Sequence, residues 1–462
     1  MLKKNIYDIY RAHQNQLLDG FPEHVKQLKK TAFDAFQKNG FPHNRLEKWR
    51  HTDLSKVLDH DFECYFEPEK KHIDIEKIFQ CELPEMDTYT VIQYNGWFLS
   101  RYSDLSKLDN GVIIGSLNQA FKDYPDIVQA HFGKYTDINS SAMQALNTAF
   151  AQDGIFIYVP DNVVVEKPIQ IINILDAPHN AFVQPRNLFV VGDNSALTLV
   201  HCDHSLEHKL SLINSLSEIY IGENSFVDHY KMQNKDADST LLTTINAHVE
   251  AASTIAANAL ILNGGIIRNN INVKLNGPQA KADLKGLYLV DKHQHVDNQI
   301  FIHHAVPQCL SNQLYKGIID DQAGAVFNGR ILVDKDAQQT NAFQTNKNIL
   351  LTDEANAYSQ PQLEIYADDV KCSHGSTVGQ LDPDAMFYLR SRGICEHSAR
   401  MLLMYAFASE VVQTIAIDAL KERLDNMVTK RLKGELSICD QCMLHCSEKA
   451  PDFLRMDIKP LV

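Results

Sequence analysis

The sequence lacks the features that would place it in a membrane or on nucleic acid. It has no apolar run of the ~20 residues that a membrane-spanning helix needs. Its charged start lacks the apolar core of a signal peptide, so we expect a cytoplasmic protein. Only 44 Lys and Arg stand against 58 Asp and Glu, and the net charge of −14 repels phosphate backbones. We therefore expect neither membrane nor nucleic acid as a partner.

Motifs for self-contained catalysis are also missing. The chain has no Walker phosphate loop and no His-Glu-x-x-His metal motif. It also lacks the Gly-x-Gly-x-x-Gly dinucleotide motif and the Gly-x-Ser-x-Gly nucleophile motif. We therefore predict a protein that is not an enzyme. If the system in which it works uses ATP, another subunit must hydrolyse it.

What is present is ordinary for a globular protein. The chain has 462 residues, of which 44% are hydrophobic and 22% charged, enough for about three folding units. Its nine cysteines are an odd number and are scattered except near the C-terminal end. In a reducing compartment they are free thiols, metal ligands or reactive groups rather than a disulfide framework.

Residues 1–154 predict a mainly helical region with one small hairpin. Apolar residues recur at helical spacing over the first forty positions. The segments Thr90–Tyr94 and Gly96–Ser100 are typical of two strands that Asn95-Gly96 joins in a tight turn. A further short helix is expected over Ala142–Ala151.

Residues 155–394 predict a β-solenoid. Short runs of Val, Ile, Leu and Thr alternate with similar turn sequences, among them Gly192-Asp-Asn-Ser-Ala and Gly222-Glu-Asn-Ser-Phe. Such loose repeats are typical of stacked coils, each of which buries its apolar face on the next. A large β-sandwich, whose turns have a similar spacing, is the alternative that the pattern leaves open.

Helical spacing returns over residues 395–430, and residues 431–462 form a separate short tail. The helical region carries a broad apolar arc that includes Leu402, Leu403, Phe407 and Val411. The arc either packs within its own chain or is a docking face for a partner. Both uses are compatible with the pattern.

Cys372 and His374 are the strongest candidate pair for metal chemistry in the predicted solenoid. Two residues apart on a strand, they face the same side. A thiolate and an imidazole at this spacing can bind one soft metal ion or two irons of one cluster. A buried cysteine beside a hydrogen-bonded histidine explains the spacing equally well.

Two other groups of potential ligands are less specific. The tail carries three thiols and one imidazole, which could bind a tetrahedral ion only if the chain turns between them; they are Cys439, Cys442, His445 and Cys446. On one continuous helix the first and last would lie about 10.5 Å apart along the axis. The run His201-Cys202-Asp203-His204 is expected at a corner of the solenoid, where such residues are common.

Several motifs together resemble a known family. The longest are Gln362–Gly379, which contains Lys371-Cys372-Ser-His374-Gly, and Phe387–Ile394. Supporting motifs are Arg45–Thr52 and Ala145–Gly154. They resemble the SufB/SufD family of the SUF iron–sulfur assembly machinery, over residues from about Arg45 to Met427. The SufB branch has a cysteine near Asn346, and no cysteine occurs over Gln344–Thr352, which favours the SufD branch.

The resemblance implies a fold, partners and a site. The fold is a right-handed parallel β-helix flanked by N-terminal and C-terminal helices. The partners are a SufB-like paralogue and a SufC-like ABC ATPase, which docks on the C-terminal helical region. His374 matches a family histidine implicated in nascent cluster formation at the SufB–SufD interface, and Cys372 matches a neighbouring family cysteine. No tightly bound cofactor is implied for the isolated chain, only iron or a nascent cluster held transiently in the complex.

Two rival functions remain open from the residues alone. A parallel β-helix can act on carbohydrate, but that chemistry needs paired carboxylates in a groove, and adjacent Asp residues on a strand face opposite ways. A structural homodimer that pairs through open sheet edges, without metal chemistry, is the second. A homodimer is also what the isolated chain is expected to form.

Overall fold

The protein is described by a computed structural model that covers residues 1–68, 87–99, 105–206 and 209–435. Its helices are α1 Leu2–Leu18, α2 Glu23–Asn39, α3 Ser55–Leu58, α4 Leu117–Asp123, α5 Pro125–His131, α6 Ala142–Phe150, α7 Pro383–Ser391, α8 Glu396–Val412 and α9 Asp418–Leu432. A short 3₁₀ turn spans Glu47–Trp49.

The strands occupy most of the chain between α6 and α7. They are β1 Glu63–Cys64, β2 Tyr89–Tyr94, β3 Trp97–Leu99, β4 Leu105–Lys107, β5 Ile113–Ser116, β6 Ile155–Val159, β7 Ile169–Leu175, β8 Ala181–Val183, β9 Arg186–Val191, β10 Ala196–Ser205, β11 Ser211–Ile221, β12 Phe226–Asn234, β13 Ser239–Val249, β14 Thr254–Asn263, β15 Ile266–Leu275, β16 Lys281–Val290, β17 His295–His304, β18 Leu310–Ile319, β19 Gly324–Val333, β20 Thr340–Leu350, β21 Asn356–Ile365 and β22 Val370–Gly379.

Each long strand pairs in parallel with the strand two places later in the chain. Odd-numbered strands from β9 to β21 form most of a twelve-stranded sheet, and even-numbered strands from β10 to β22 form most of a ten-stranded sheet. The chain therefore winds between two sheets in a β-solenoid of about eight turns. This confirms the predicted solenoid with flanking helices, and excludes the sandwich.

The repeated turn sequences have a common physical cause. Asn194, Asn224 and Ala252 adopt left-handed backbone conformations, with φ of 53°, 54° and 56°. The serine that follows each turn joins it to the next coil: the backbone N–H of Ser195 donates to Ser225 Oγ at 2.9 Å. The N–H of Ser225 donates in the same way to the next serine in the stack. Similar sequence therefore recurs because each turn must fit its neighbour.

Three layers of apolar packing position the flanking helices. Inward-facing residues of both sheets form the main core of the solenoid. Helices α1, α2 and α6 pack on the outer face of the twelve-stranded sheet, and α4 and α5 cover it nearer the first coils. Helices α8 and α9 cover the outer face of the ten-stranded sheet. The middle coils are thus covered on both faces.

The helical ends of the chain differ in detail from the prediction. The first forty residues form two helices, because Gly20 has a φ of 75° and Pro22 precedes the second. The predicted hairpin is confirmed as β2 and β3, with Asn95 and Gly96 both at positive φ, and β2 also pairs with β7. The predicted solenoid region ends earlier than residue 394, because α7 begins at Pro383.

Candidate functional site at the open end of the solenoid

The last coil differs from every coil before it because no further coil stacks on it within residues 1–435 as described. On β20 the inward-facing Gln344 and Asn346 are at most 1% exposed. The equivalent residues of β22, His374 and Ser376, are exposed. Among the described strands, β22 hydrogen-bonds only to β20 and β21 only to β19. The end of the solenoid therefore presents two unpaired strand edges.

His374 lies on the inward-facing side of this open end. It pairs in register with Gln344, and Cys372 pairs with Ala342, so both side chains point to the same side of β22. The two terminal strands are also joined across the opening, where Ser376 Oγ donates to Ser359 Oγ at 2.7 Å. The imidazole is therefore exposed at the opening between β21 and β22, the last strands of the two sheets.

Cys372 has a more enclosed environment than His374. It is half-buried and packs against a small apolar cluster that includes Ile331, Val333 and Ala342. Burial raises the pKa of the Cys372 thiol. The thiol is therefore neutral at physiological pH, and it would have to lose its proton and its apolar contacts to bind a metal.

Amide side chains form a floor beneath His374. Gln344 Nε2 donates to Gln313 Oε1 of the preceding coil at 2.9 Å. Gly329 faces this amide from the opposite sheet, and a Cβ there would come within 1.7 Å of Gln344 Nε2. Asn346 Nδ2 donates to the Tyr288 hydroxyl at 3.1 Å. The floor is therefore polar and closely packed, with an amide at the position where the SufB branch is expected to carry its cysteine.

Exposed apolar side chains surround the opening. Tyr366 is 64% exposed and Val378 45%, whereas Tyr358, which is 43% exposed, lies on the outer face of β21 and stacks on the His51 ring at 3.9 Å. Ile365, at the end of β21, is also exposed. A cluster of exposed apolar groups beside unpaired strand edges is typical of a surface that another protein covers.

The family follows from comparison with known proteins. Residues 1–171 match the model of the SufBD protein N-terminal region. Residues 173–407 match the model of the SufBD core domain of the SUF system for FeS cluster assembly. The chain belongs to the SufBD family.

Relatives of this SufBD-family chain match it along most of its length. An iron-sulfur cluster assembly SufBD family protein of Synechocystis sp. is 32% identical, over 87% of this chain and 90% of the relative. Iron-sulfur cluster assembly protein SufD of Escherichia coli is 27% identical, over 89% and 92%. SufD of Bacillus subtilis is 25% identical, over 89% and 95%. The predicted family is therefore confirmed.

The C-terminal helices of the SufBD-family chain correct one predicted docking residue. Val411 is 0% exposed and packs against the chain's own solenoid, in a cluster that also holds Leu260 and Leu287. The apolar arc is broad because much of it is internal core. Leu402, Leu403 and Phe407 are half-buried, and only their remaining exposed surface is available to a partner.

A more exposed surface, which the sequence analysis did not select, lies on α7. Phe387 is 74% exposed and Tyr388 55%. Beside them, a groove of about 720 Å³ is lined by residues of α7, the start of α8 and the segments that follow β20 and β22, including Leu351, Leu381, Arg390, Glu396 and Arg400. The only sequence signal was the presence of both aromatic residues in the Phe387–Ile394 motif.

The Arg45–Thr52 motif of the SufBD family is anchored to the solenoid wall. The Trp49 ring packs on the Arg268 guanidinium at 3.9 Å, and Arg268 forms a buried ion pair with Asp297. The Thr52 hydroxyl donates to Asp297 Oδ2 at 2.5 Å and lies 2.9 Å from His295 Nε2. His295 and Asp297 therefore bind the N-terminal segment.

The remaining candidate ligands do not form a metal centre in the described structure. His201 and Asp203 lie inside β10, not at a corner as predicted, because the strand continues to Ser205. The four tail residues Cys439, Cys442, His445 and Cys446 lie outside the described residues. Among the described residues, no three His, Cys, Asp or Glu side chains are grouped to hold a metal ion. None of the described helices is long and apolar enough to cross a membrane.

Proposed function

We propose that the chain is a non-catalytic scaffold subunit of a SUF complex for iron–sulfur cluster biogenesis. The observation that carries the proposal is the uncovered last coil, where His374 is accessible although its equivalents in earlier coils are buried. The general role in iron–sulfur cluster assembly follows from membership of the SufBD family. The proposal adds how this chain takes part.

A SufB-like paralogue is the partner that we assign to the open end. Unpaired N–H and C=O groups along the ten-residue β22 favour the addition of another strand. The exposed apolar side chains of Tyr366 and Val378 would be removed from water in the same step. When no paralogue is present, a second copy of the chain can use the same edges and form a homodimer.

His374 is the residue that we assign to iron. A neutral imidazole binds iron more weakly than a thiolate does, which suits a cluster that must later leave. At the joint, His374 would stand beside groups of the paralogue, and iron and sulfide would collect between the two subunits as cargo. Cys372 is a secondary candidate, because its thiol must first be uncovered and deprotonated.

The C-terminal helices are the surface that we assign to a SufC-like ABC ATPase. The exposed Phe387 and Tyr388, the half-buried Leu402, Leu403 and Phe407, and the adjoining groove lie on neighbouring helices. Helix α8 packs on β16 and β18 of the same sheet whose last strand carries His374. Movement of these helices upon ATP binding would therefore reach the open end through shared strands.

The test is His374→Ala in a complex co-expressed with SufB-like and SufC-like partners. We expect the complex to assemble with an unchanged unfolding temperature but to contain much less iron and acid-labile sulfide. The exposed His374 side chain contributes little packing, so folding is spared.

Ser373→Ala is the matched control, because Ser373 is exposed on the opposite face of the same strand. It should retain normal iron and sulfide. Normal cluster yield in His374→Ala would contradict the role of this histidine. Failure of the wild-type chain to co-purify with either partner would contradict the scaffold proposal as a whole.

A further inference from the structure

The inside of the solenoid contains a column of polar side chains that the proposed function does not use. On the ten-stranded sheet, Leu197 and Leu199 belong to the apolar core, and His201 and Asp203 continue the same inward face of β10. Their neighbour in the next coil is Lys231, in register with His201. All three polar residues are at most 4% exposed. Charged groups therefore occupy the interior where apolar residues would be expected.

Protein atoms satisfy only part of the hydrogen-bonding capacity of Asp203, Lys231 and their neighbours. Asn173 Nδ2 donates to Asp203 Oδ1 at 2.7 Å, and Lys231 Nζ lies 3.4 Å from Asp203 Oδ2. Next to them, the His229 ring is 3% exposed and its Nε2 has no protein hydrogen-bond partner. A buried ion pair is stable only when its remaining hydrogen-bonding positions are also satisfied.

The opposite sheet adds amides and hydroxyls to the same column. Thr243, Asn269 and Asn298 are stacked in register on three successive coils and share the inward face of their strands with core isoleucines. Asn269 Nδ2 donates across the interior to Gln233 Oε1 at 2.9 Å. The polar residues of the two sheets therefore meet in the middle of the solenoid.

The column ends at Asn298 and does not reach the floor of the open end. Asn298 is in register with Phe327 of the next coil, and Gly329, two residues later, faces the Gln344 amide. Gln344 in turn is hydrogen-bonded to Gln313 and lies one coil beneath His374. The apolar Phe327 and Ile300, both part of the main core, therefore separate the column from the amide floor beneath His374.

Many atoms of this column have no protein partner, although they are buried. Among the described residues they include His229 Nε2, Gln233 Nε2, Thr243 Oγ1, Asn269 Oδ1 and Asn298 Nδ2. Each of these atoms exposes less than 1 Å². Folded proteins leave few buried polar atoms unpaired, and those they do leave are usually hydrogen-bonded to ordered water. Buried atoms without a protein partner also occur elsewhere in the described structure, but these five lie together on facing inward surfaces of neighbouring strands, which indicates a common ligand.

We propose that a short file of bound water molecules fills this column, from the His201–Lys231 group to Asn298. Water is the ligand that both donates to carbonyl and hydroxyl oxygens and accepts from amide N–H groups, as the mixed set of unpaired atoms requires. The file supplies the missing solvation of Lys231 and Asp203. This proposal does not depend on iron chemistry at the open end.

Radiolytic hydroxyl labelling with heavy-oxygen water tests the proposal on the full-length chain. Side chains beside bound water become labelled even when bulk solvent cannot reach them. Phe327 is 1% exposed but lies beside the column, whereas Phe36 and Phe156 are 0% exposed within apolar clusters under the N-terminal helices. We expect labelling of Phe327 and none of Phe36 or Phe156. Equal absence of label at all three phenylalanines would overturn the proposal.

A double variant sharpens the test. The double variant Asn269→Leu, Asn298→Leu replaces two amides of the column by apolar side chains of similar size. The label at Phe327 should then be lost. The control is Asn272→Leu on the outward face of β15, which should leave the label at Phe327 unchanged. Persistent label in a folded double variant would count against the file. If the double variant does not fold, the comparison of Phe327 with Phe36 and Phe156 in the wild-type chain decides the proposal.

Discussion

The two ends of the solenoid are built from the same kind of coil but are covered differently. The first coils lie beneath the N-terminal helices, where Arg186 and Glu218 form an ion pair 1% and 0% exposed. In the described part of the chain no further coil stacks on the last one, and nearly all of β22 is exposed. The covered end holds a buried ion pair that several hydrogen bonds stabilise, while the open end keeps its strand edges available.

The two ends therefore have different roles: residues of the covered end stabilise the fold, and residues of the open end are available to bind a partner. Glu218 accepts hydrogen bonds from the backbone N–H groups of Gly133 and Tyr135, at 2.8 and 2.9 Å, so it ties the α5–α6 connection to the sheet. At the other end, His374 contributes little to packing. Substitutions near the N-terminal helices should therefore affect folding, and those on the last coil should affect partners.

The largest effect is expected from Glu218→Ala. The substitution leaves the Arg186 guanidinium buried without its carboxylate and should lower the free energy of unfolding by about 3–5 kcal/mol. Urea denaturation followed by circular dichroism measures the change. Glu223→Ala, at the exposed turn that follows the same strand, is the control and should change stability by less than about 0.5 kcal/mol. A loss below about 1 kcal/mol in Glu218→Ala would mean that the covered end does not depend on this network.

An intermediate effect is expected from acid, through a histidine within the covered coils. Burial, with a smaller contribution from His303, lowers the pKa of His304 to about 4. The unfolded chain binds a proton near its ordinary pKa of about 6.5, so stability is full above that pH and falls as the pH decreases towards 4. At about 1.4 kcal/mol per pKa unit, this one group accounts for about 3 kcal/mol of the loss.

The measurement compares urea midpoints at neutral pH and near pH 4 for the wild type and His304→Gln. The variant should lose less stability on acidification than the wild type does. His397→Gln, at an exposed position on α8, is the control and should behave like the wild type. An unchanged acid dependence in His304→Gln would show that this histidine is not kept neutral by burial.

The smallest effect is expected at the open end itself. Val378→Ala removes apolar surface from a side chain that is already 45% exposed, so we expect the free energy of unfolding to change by less than about 0.5 kcal/mol. Urea denaturation of the isolated chain at low concentration, where pairing is absent, measures it. A cost above about 1 kcal/mol would show that the last coil stabilises the monomer, and the comparison between the two ends would then fail.

The sequence predicted the solenoid because repetition imposes similar residues on similar turns. Asn194 and Asn224 recur at left-handed positions, and the serine after each is required by the turn it stacks on. It also predicted that Cys372 and His374 share a face, since alternation along a strand is a local property. It did not predict that His201 and Asp203 lie inside a strand, because a charged run in a strand resembles a loop until its neighbours are known.

Local pattern therefore determined the elements, the winding of the chain and the alternation of faces, all of which depend on residues close in sequence. Only the tertiary structure decided which side chains are covered by other parts of the chain. Val411 and Phe387 are both apolar residues of the C-terminal helices, yet one is 0% and the other 74% exposed. Whether a side chain is buried in the core, lies in the floor of the open end or is exposed depends on coils and helices distant in sequence. The periodicity of a segment does not indicate which of these elements pack against it.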